Sequence, residues 1–228
     1  MKWVLQLLGG VALGYVIVTL AESFIHNTVQ HGRGRRRAFW ERHPRLCAPF
    51  RMAHYSHHLI HHCRTFRENH VTQFRSQEEK ERLDATLQGW SRGELIKREG
   101  YGTTLAGIGI LQFLLPVMPV AALLYLFFGG YVFAGAMIPF TVYPMMSKSL
   151  HPYLHMRYAD ALREAPRVLR WFLRTRYCRF IYRHHYLHHR YVVCNYNLIF
   201  GGDWLLGVHR RPSPLDLVAI RELGLPVD

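Results

Sequence analysis

Cysteine and acidic residues are both scarce in this 228-residue protein. The four cysteines, Cys47, Cys63, Cys178 and Cys194, lie far apart and form no C-x-x-C pair, so nothing in their spacing indicates a disulfide framework or a thiolate zinc site. Aspartate and glutamate total 15, against 29 lysines and arginines. Half of the residues are apolar, which excludes a disordered or collagen-like protein.

The first stretch without charge is Trp3–Ala21, which Phe24 and Ile25 extend. As a helix it is long enough to cross a hydrocarbon core about 30 Å thick, so we expect a membrane span over about residues 3–25. A cleaved signal peptide is the alternative. Cleavage would export the arginines that follow, against the positive-inside bias.

The second stretch without charge is Leu105–Met146, which is too long for one span. It predicts a hairpin that turns at Gly129 and Gly130, with spans over about 105–128 and 130–146. The second limb is near the lower length limit, so it either spans the bilayer or dips in and returns. A buried hairpin in a soluble core is the alternative.

Charge predicts the topology of the protein. Basic residues outnumber acidic ones by about two to one in both polar stretches, 26–104 and 147–228, which places both on the cytoplasmic face. We therefore expect one all-α membrane domain over residues 1–228, with about three transmembrane helices, a cytoplasmic helical cap and the amino terminus outside. The net charge of +14 favours an anionic membrane surface over nucleic acid as a partner.

Four arginines repeat at helical spacing between apolar residues after the second apolar stretch: Arg163, Arg167, Arg170 and Arg174. This pattern is typical of an interfacial helix whose apolar side lies on a membrane.

Histidine is abundant, with 16 residues, and most of them cluster near the ends of the apolar stretches. From the amino terminus onward the clusters are His26 and His31; His54, His57, His58, His61 and His62; His151 and His155; and His184, His185, His188 and His189. Histidines three or four residues apart on a helix can share one metal ion. Several such pairs predict a centre with two ions.

Some histidines and carboxylates receive a plainer interpretation. We expect the isolated His43, His70 and His209 to be solvated or satisfied locally. A loose metal-storage tract is excluded because the clusters are separated and interleaved with other residue types. Imidazole suits zinc, iron, copper and nickel alike. The nearby carboxylates, Glu22, Asp160 and Asp203, are expected to support ligands rather than bind metal.

In this order the clusters resemble the histidine boxes of the membrane fatty acid hydroxylase / sterol desaturase superfamily, and most of all the fatty acid 2-hydroxylase type. The third box, His151-Pro152-Tyr153-Leu154-His155, and the doubled last pair carry the resemblance. The tail from Asn195 to Gly207 is similar to the family's closing segment. One span precedes the first box where relatives often have two, and Asn27 replaces a common arginine.

The resemblance implies a helical membrane anchor and a cytoplasmic helical domain that holds a two-metal, all-histidine centre. The implied ligands are His26, His31, His58, His61, His62, His151, His155, His185, His188 and His189. The second box also fits a register with His54 and His57; we prefer the later one because Phe66 then stands where relatives often have an aromatic residue. Asp203 and Asn197 are expected to support the ligand histidines without binding the metal themselves. No catalytic residue beyond the ligands is identified.

The implied activity is O2-dependent hydroxylation of a lipid acyl C–H bond with two iron ions, which zinc could replace in overproduced protein. The lipid would enter from the bilayer. No haem segment and no flavin or nicotinamide glycine motif appears, so we expect a separate electron donor, cytochrome b5-like or a ferredoxin. A sterol or carotenoid hydroxylase or a lipid desaturase is the alternative on this scaffold. A zinc hydrolase or a metal transporter is a more distant one.

Overall fold

The computed structural model describes residues 1–102, 114–198 and 201–227. In these residues the protein is helical and contains no strand, which confirms the all-α class. The helices are α1 (Lys2–Ile25), α2 (Gly34–Arg42), α3 (Ala48–His54), α4 (Gln77–Leu87), α5 (Ser91–Arg98), α6 (Met118–Phe128), α7 (Gly130–Leu154), α8 (Tyr158–Glu164), α9 (Arg167–Leu173), α10 (Arg176–Tyr191), α11 (Gly202–Leu205) and α12 (Pro214–Glu222). Two π-helical turns, His26–Gln30 and Tyr55–His62, continue α1 and α3.

One helix in the described ranges, Lys2–Gln30, is long and apolar enough to cross a membrane. Only 22% of its most apolar window is buried, so it does not have the burial of a soluble core helix. Much of the predicted span over 105–128 lies outside the described residues, because 103–113 are not among them. Within the described residues, one of the three predicted spans is thus supported as a candidate.

The predicted turn at Gly129 is present, and its cause is conformational. Gly129 has φ +83°, a left-handed angle that favours glycine, and it separates α6 from α7. α7 does not end at Met146, as we expected from the apolar stretch, but continues to Leu154 despite three internal prolines. A single helix therefore carries both the apolar limb and His151.

Glycines bring α1 and α7 into direct backbone contact. A Cβ atom on Gly10 would collide with the carbonyl of Val132, and one on Gly135 would collide with the carbonyl of Leu7. Helices that pack in lipid use such small residues to approach closely. This glycine seam fixes where the carboxyl ends of both helices, and the histidines beyond them, lie relative to each other.

The largest core cluster forms around α10. Ile181, Tyr182 and Leu187 of this helix are fully buried and pack with Leu150 and Leu154 at the end of α7. The hydroxyl of Thr175 caps the helix by accepting the backbone N–H of Cys178. The apolar side of α10 therefore holds its histidines against the end of α7.

The predicted interfacial helix is divided in two. α8 ends at Glu164 and α9 begins at Arg167, so the arginines do not share one helix. Within α9, Val168 and Trp171 point outward, whereas Leu173 is fully buried. The apolar residues of this stretch thus serve the core as well as the surface.

Candidate metal centre

The structure gathers ten histidines into two adjoining groups. Within each group, one nitrogen from every imidazole lies within 4.8 Å of the others. Group A consists of His26, His31, His57, His62 and His188, and group B of His61, His151, His155, His185 and His189. The rings of His62 and His189 stack with their centroids 4.0 Å apart, so the two groups are direct neighbours.

Group A depends on the two π-helical turns. The backbone N–H of His31 bonds the carbonyl of His26 at 2.9 Å, and that of Cys63 bonds the carbonyl of His58 at 3.1 Å. Such i→i+5 bonds define a π-helix, in which residues five apart lie above one another. His26 and His31 are five apart, as are His57 and His62. An α-helix would turn the members of each pair away from each other.

The second histidine box differs from both predicted registers. The π-helical turn places His57, His61 and His62 in the groups, whereas His58 lies outside them. The Nδ1 atom of His58 instead lies 3.0 Å from Nδ1 of His31. His54 is also outside the groups and donates from Nδ1 to the carbonyl of Gln30 at 2.9 Å. The other nine predicted ligands are all in the groups.

Backbone carbonyls of the tail orient two rings of group A. His26 Nδ1 lies 2.7 Å from the carbonyl oxygen of Tyr196, and His188 Nδ1 lies 2.9 Å from that of Cys194. A carbonyl oxygen only accepts, so each Nδ1 carries the proton and each Nε2 presents a lone pair. These bonds direct both Nε2 atoms toward the centre of group A.

Group B relies mostly on ordinary α-helical spacing. His151 lies in the last turn of α7 and His155 directly follows that helix, whereas His185 and His189 lie one turn apart on α10. The fifth member, His61, comes from the π-helical turn Tyr55–His62. His155 donates from Nδ1 to the backbone carbonyl of His70 at 2.9 Å, which again leaves Nε2 with a lone pair. The Nε2 atom of His185 lies 3.0 Å from Nε2 of His155.

We expected His70 to be solvated or satisfied locally; it is buried beside group B and satisfied by a backbone carbonyl. Its Nε2 atom bonds the carbonyl of Leu154 at 2.7 Å, and burial lowers the pKa of its imidazole to about 3. Nothing in the local sequence marks this role, because it arises from a loop that folds back on α7. His209 is half-buried and stacks on His184, whereas His43 is exposed.

The donor set fits metal cations. The lone pairs of His26 and His188 Nε2 face other imidazole nitrogens, since His57 Nε2 lies 2.8 Å from the first and His62 Nε2 lies 3.2 Å from the second. Protonation does not supply the balancing charge near neutral pH, since burial lowers the pKa of His188 and of His151 to about 4. A divalent ion in each group would accept these lone pairs.

A buried polar network lies beside the groups and includes Asp203 and Asn197, which we expected to hold the ligands. Asp203 accepts from Ser23 at 2.6 Å and lies 2.9 Å from Nε2 of His184. His184 is therefore turned away from the groups, although it belongs to the last cluster. The side-chain oxygen of Asn197 accepts the backbone N–H of Asp203 at 2.6 Å. The network thereby ties α1, α10 and the tail together.

The other two carboxylates have different positions. Glu22 belongs to the same network, since it accepts from the side chain of Asn197 at 2.9 Å and from the backbone N–H of Leu198 at 2.8 Å. Asp160, which we expected beside the ligands, instead pairs with Arg163 at 2.7 Å on the surface. It has this position because α8 carries it outward after α7 ends.

Two cavities reach the centre. A cleft of about 520 Å³ ends on three histidines of group B, His61, His151 and His155. Its apolar walls include Phe66, Val71, Pro152 and Met156, and its polar residues include Lys148 and Glu99. A cavity of about 50 Å³ touches both groups, with His26 and His57 on one side and His151 and His185 on the other; Glu22, Tyr143, Ser147 and Leu198 also line it. Small reactants could thus contact both groups at once.

Comparisons with known proteins identify no relative: no family model, no curated protein and no solved structure matches this sequence.

Proposed function

We propose that this protein is a membrane lipid hydroxylase that uses O2 and one iron ion in each histidine group. The observation that carries the proposal is the pair of adjoining groups, each with five converging imidazoles. A structural zinc site needs only four ligands, so ten converging histidines exceed what a single zinc ion would use. The candidate membrane helix, whose apolar part leads directly into His26, supports a substrate that comes from the bilayer.

Iron is the metal that suits both the ligands and the reaction. Imidazole is a ligand for both iron and zinc. The reaction favours iron, because an unactivated C–H bond cannot be broken by acid–base groups alone. When bound, iron supplies the electron transfer that O2 reduction and C–H cleavage require. Zinc binds imidazole sites more tightly than iron(II), so overproduced protein can contain zinc instead.

The protein itself positions and encloses the reactants. The small cavity between the groups is the place where O2 and one substrate carbon can meet. Leu198 and Ile25 form the apolar part of its wall. The larger cleft ends on group B and is wide enough for part of a lipid, since ligand pockets commonly measure about 300–1,000 Å³.

Electrons would come from a separate carrier protein. The net charge of +14 favours docking of an acidic carrier as well as binding of anionic lipid. Cytochrome b5-like proteins and ferredoxins are the two carriers to supply in a reconstituted assay.

The test combines metal analysis with lipid mass spectrometry. Iron-loaded protein in lipid vesicles, with a carrier and reductant, should convert a lipid to a product heavier by one oxygen atom. The matched control is His188→Ala protein treated in the same way. Loss of two hydrogens would indicate a desaturase, hydrolysis products would indicate a zinc hydrolase, and metal flux without lipid change would indicate a transporter. Any of these results would overturn the hydroxylase proposal.

A further inference from the structure

A buried carboxyl group stands beside the cavity that joins the two histidine groups. Glu22 is 5% exposed, lies one helical turn before His26 and lines this cavity. Ionisable residues inside a membrane segment are costly, and they usually serve a function. Asn197 and Leu198 donate to its oxygens, which explains its orientation but not the choice of a carboxyl group over an amide.

A series of hydroxyl groups connects Glu22 to the larger cleft. The side chain of Tyr143 hydrogen-bonds Glu22 and is itself hydrogen-bonded by Ser147. Ser147 lines both the small cavity and the 520 Å³ cleft, whereas Tyr143 is 3% exposed. Because Tyr143 and Ser147 lie one turn apart on α7, the helix itself sets their spacing. The three groups form a continuous path from a solvent-accessible cleft to the buried carboxyl group.

We propose that Ser147, Tyr143 and Glu22 form a proton relay that supplies the reaction cavity. The inference rests on the proposed hydroxylase function. That reaction consumes protons: a C–H bond, O2, two electrons from a one-electron carrier protein and two protons give C–OH and water. A proton enters at the Ser147 hydroxyl, each group passes one proton forward as it receives one from behind, and Glu22 delivers it to the oxygen atom that leaves as water.

Other acidic groups near the centre do not share this position. Asp203 is bound on both oxygens by Ser23, the backbone of Asn197 and His184, and it does not line the small cavity. Glu99 stands in the cleft and pairs with Lys148 at 3.6 Å, where it can exchange protons with water. Glu22 is the carboxyl group in the described residues that faces the small cavity.

Tyr143→Phe tests the relay because it removes one hydroxyl group and preserves the ring. Tyr182→Phe is the matched control: Tyr182 is also buried, but its hydroxyl donates to the carbonyl of Tyr153 in the core around α10. Both iron-loaded variants are compared with the native protein for metal content and product per electron consumed. A pH-indicator dye measures how fast protons are taken up when the centre is reduced, which does not require turnover.

We expect Tyr143→Phe to retain metal, to take up protons about 100-fold more slowly and to lose product per electron to a similar degree, since a positioned proton donor contributes about that factor. Ser147→Ala should act in the same direction, and Glu22→Asp should restore part of the loss seen in Glu22→Gln. If Tyr143→Phe matches Tyr182→Phe in both measurements while the native protein hydroxylates lipid, the relay is wrong and the hydroxylase stands. If the native protein oxidises no lipid, the proposed function fails instead.

Discussion

Groups A and B contain the same number of imidazoles but are built differently. Group A takes two of its pairs from π-helical turns and has rings pinned by the tail carbonyls of Cys194 and Tyr196. Group B takes both of its pairs from α-helical turns, has one ring bonded to the carbonyl of His70, and opens on the large cleft. Group A is the more constrained and enclosed of the two, and group B is the more accessible.

This difference indicates a division of labour between the groups. π-helical turns are rare and occur often at functional sites, where the backbone accepts poorer geometry to place a side chain. Group A accepts it twice, in the turn that continues α1 and in the turn that continues α3. Group B takes only His61 from a π-helical turn, and its other four histidines come from α7 and α10, which pack with their histidine faces together. We therefore propose that a substrate would approach group B through the cleft, while group A holds the first helix and the tail in place.

The largest expected effect comes from removal of one ligand in either group. His188→Ala in group A and His155→Ala in group B should each abolish activity and release the ion of that group, since an undercoordinated ion is lost easily. Elemental analysis should find one ion per group in the native protein and about one ion per molecule in each variant. Loss of both ions from His155→Ala alone would mean that the two groups form one binding unit.

The second box gives the next largest effect and tests the π-helical turn directly. His57→Ala should be as damaging as the ligand variants. His58→Ala, which removes the partner of His31, should cost about 10–100-fold in metal affinity or activity. His54→Ala should cost less again, because His54 contacts the backbone of Gln30 and not a ring of group A. Full loss in His58→Ala with activity in His57→Ala would restore the register that the sequence favoured.

Acid should destabilise metal-free protein through both groups. Burial lowers the pKa of His188 in group A and of His151 in group B to about 4, below the unfolded value of about 6.5. The unfolded state therefore binds more protons between these values, so stability falls as the pH falls from about 6.5 to about 4. Between pH 7 and pH 5 the loss is roughly 2 kcal/mol for each imidazole that titrates in this way. Denaturant titrations of metal-free protein at pH 7 and pH 5 measure it, and equal stability at both would contradict these pKa values.

Substitution of His70, which lies beside group B, should cause a smaller loss of stability. His70→Ala should leave the carbonyl of Leu154 without its partner and cost about 1–3 kcal/mol. His43→Ala is the control, since exposed substitutions usually change stability by about 0.5 kcal/mol or less. Thermal unfolding in detergent compares the two variants. Equal midpoints would show that His70 contributes little to the fold.

The smallest expected effect concerns the cleft that opens on group B. Val71→Phe should narrow it, raise KM for long lipids several-fold and leave the metal content unchanged, whereas Leu215→Phe on the exposed face of α12 should change neither. Kinetic measurements with lipids of different size make the comparison. An unchanged KM in Val71→Phe would place the substrate elsewhere.

The sequence predicts group B more fully than group A, for a physical reason. An i, i+4 pair such as His151 and His155 shares a face of any α-helix, so its role follows from spacing alone. His57 belongs only to the less favoured register because no local residue pattern signals that backbone bonds will shift to i→i+5. The role of His70 escapes prediction because it depends on tertiary contact. The all-α class follows from apolar length, but the extension of α7 to Leu154 depends on core packing that the hydropathy pattern does not contain.

The glycine seam gives the centre a mechanical property. Because the backbones of α1 and α7 touch at Gly10 and Gly135, the two helices move as one rod rather than sliding past each other. His26 at the end of one helix and His151 near the end of the other then keep a constant offset when the bilayer thins or thickens. Changes in membrane thickness are absorbed by tilt of the pair. In a bilayer, the distance between the two halves of the centre would in this way be insulated from the thickness of the surrounding lipid.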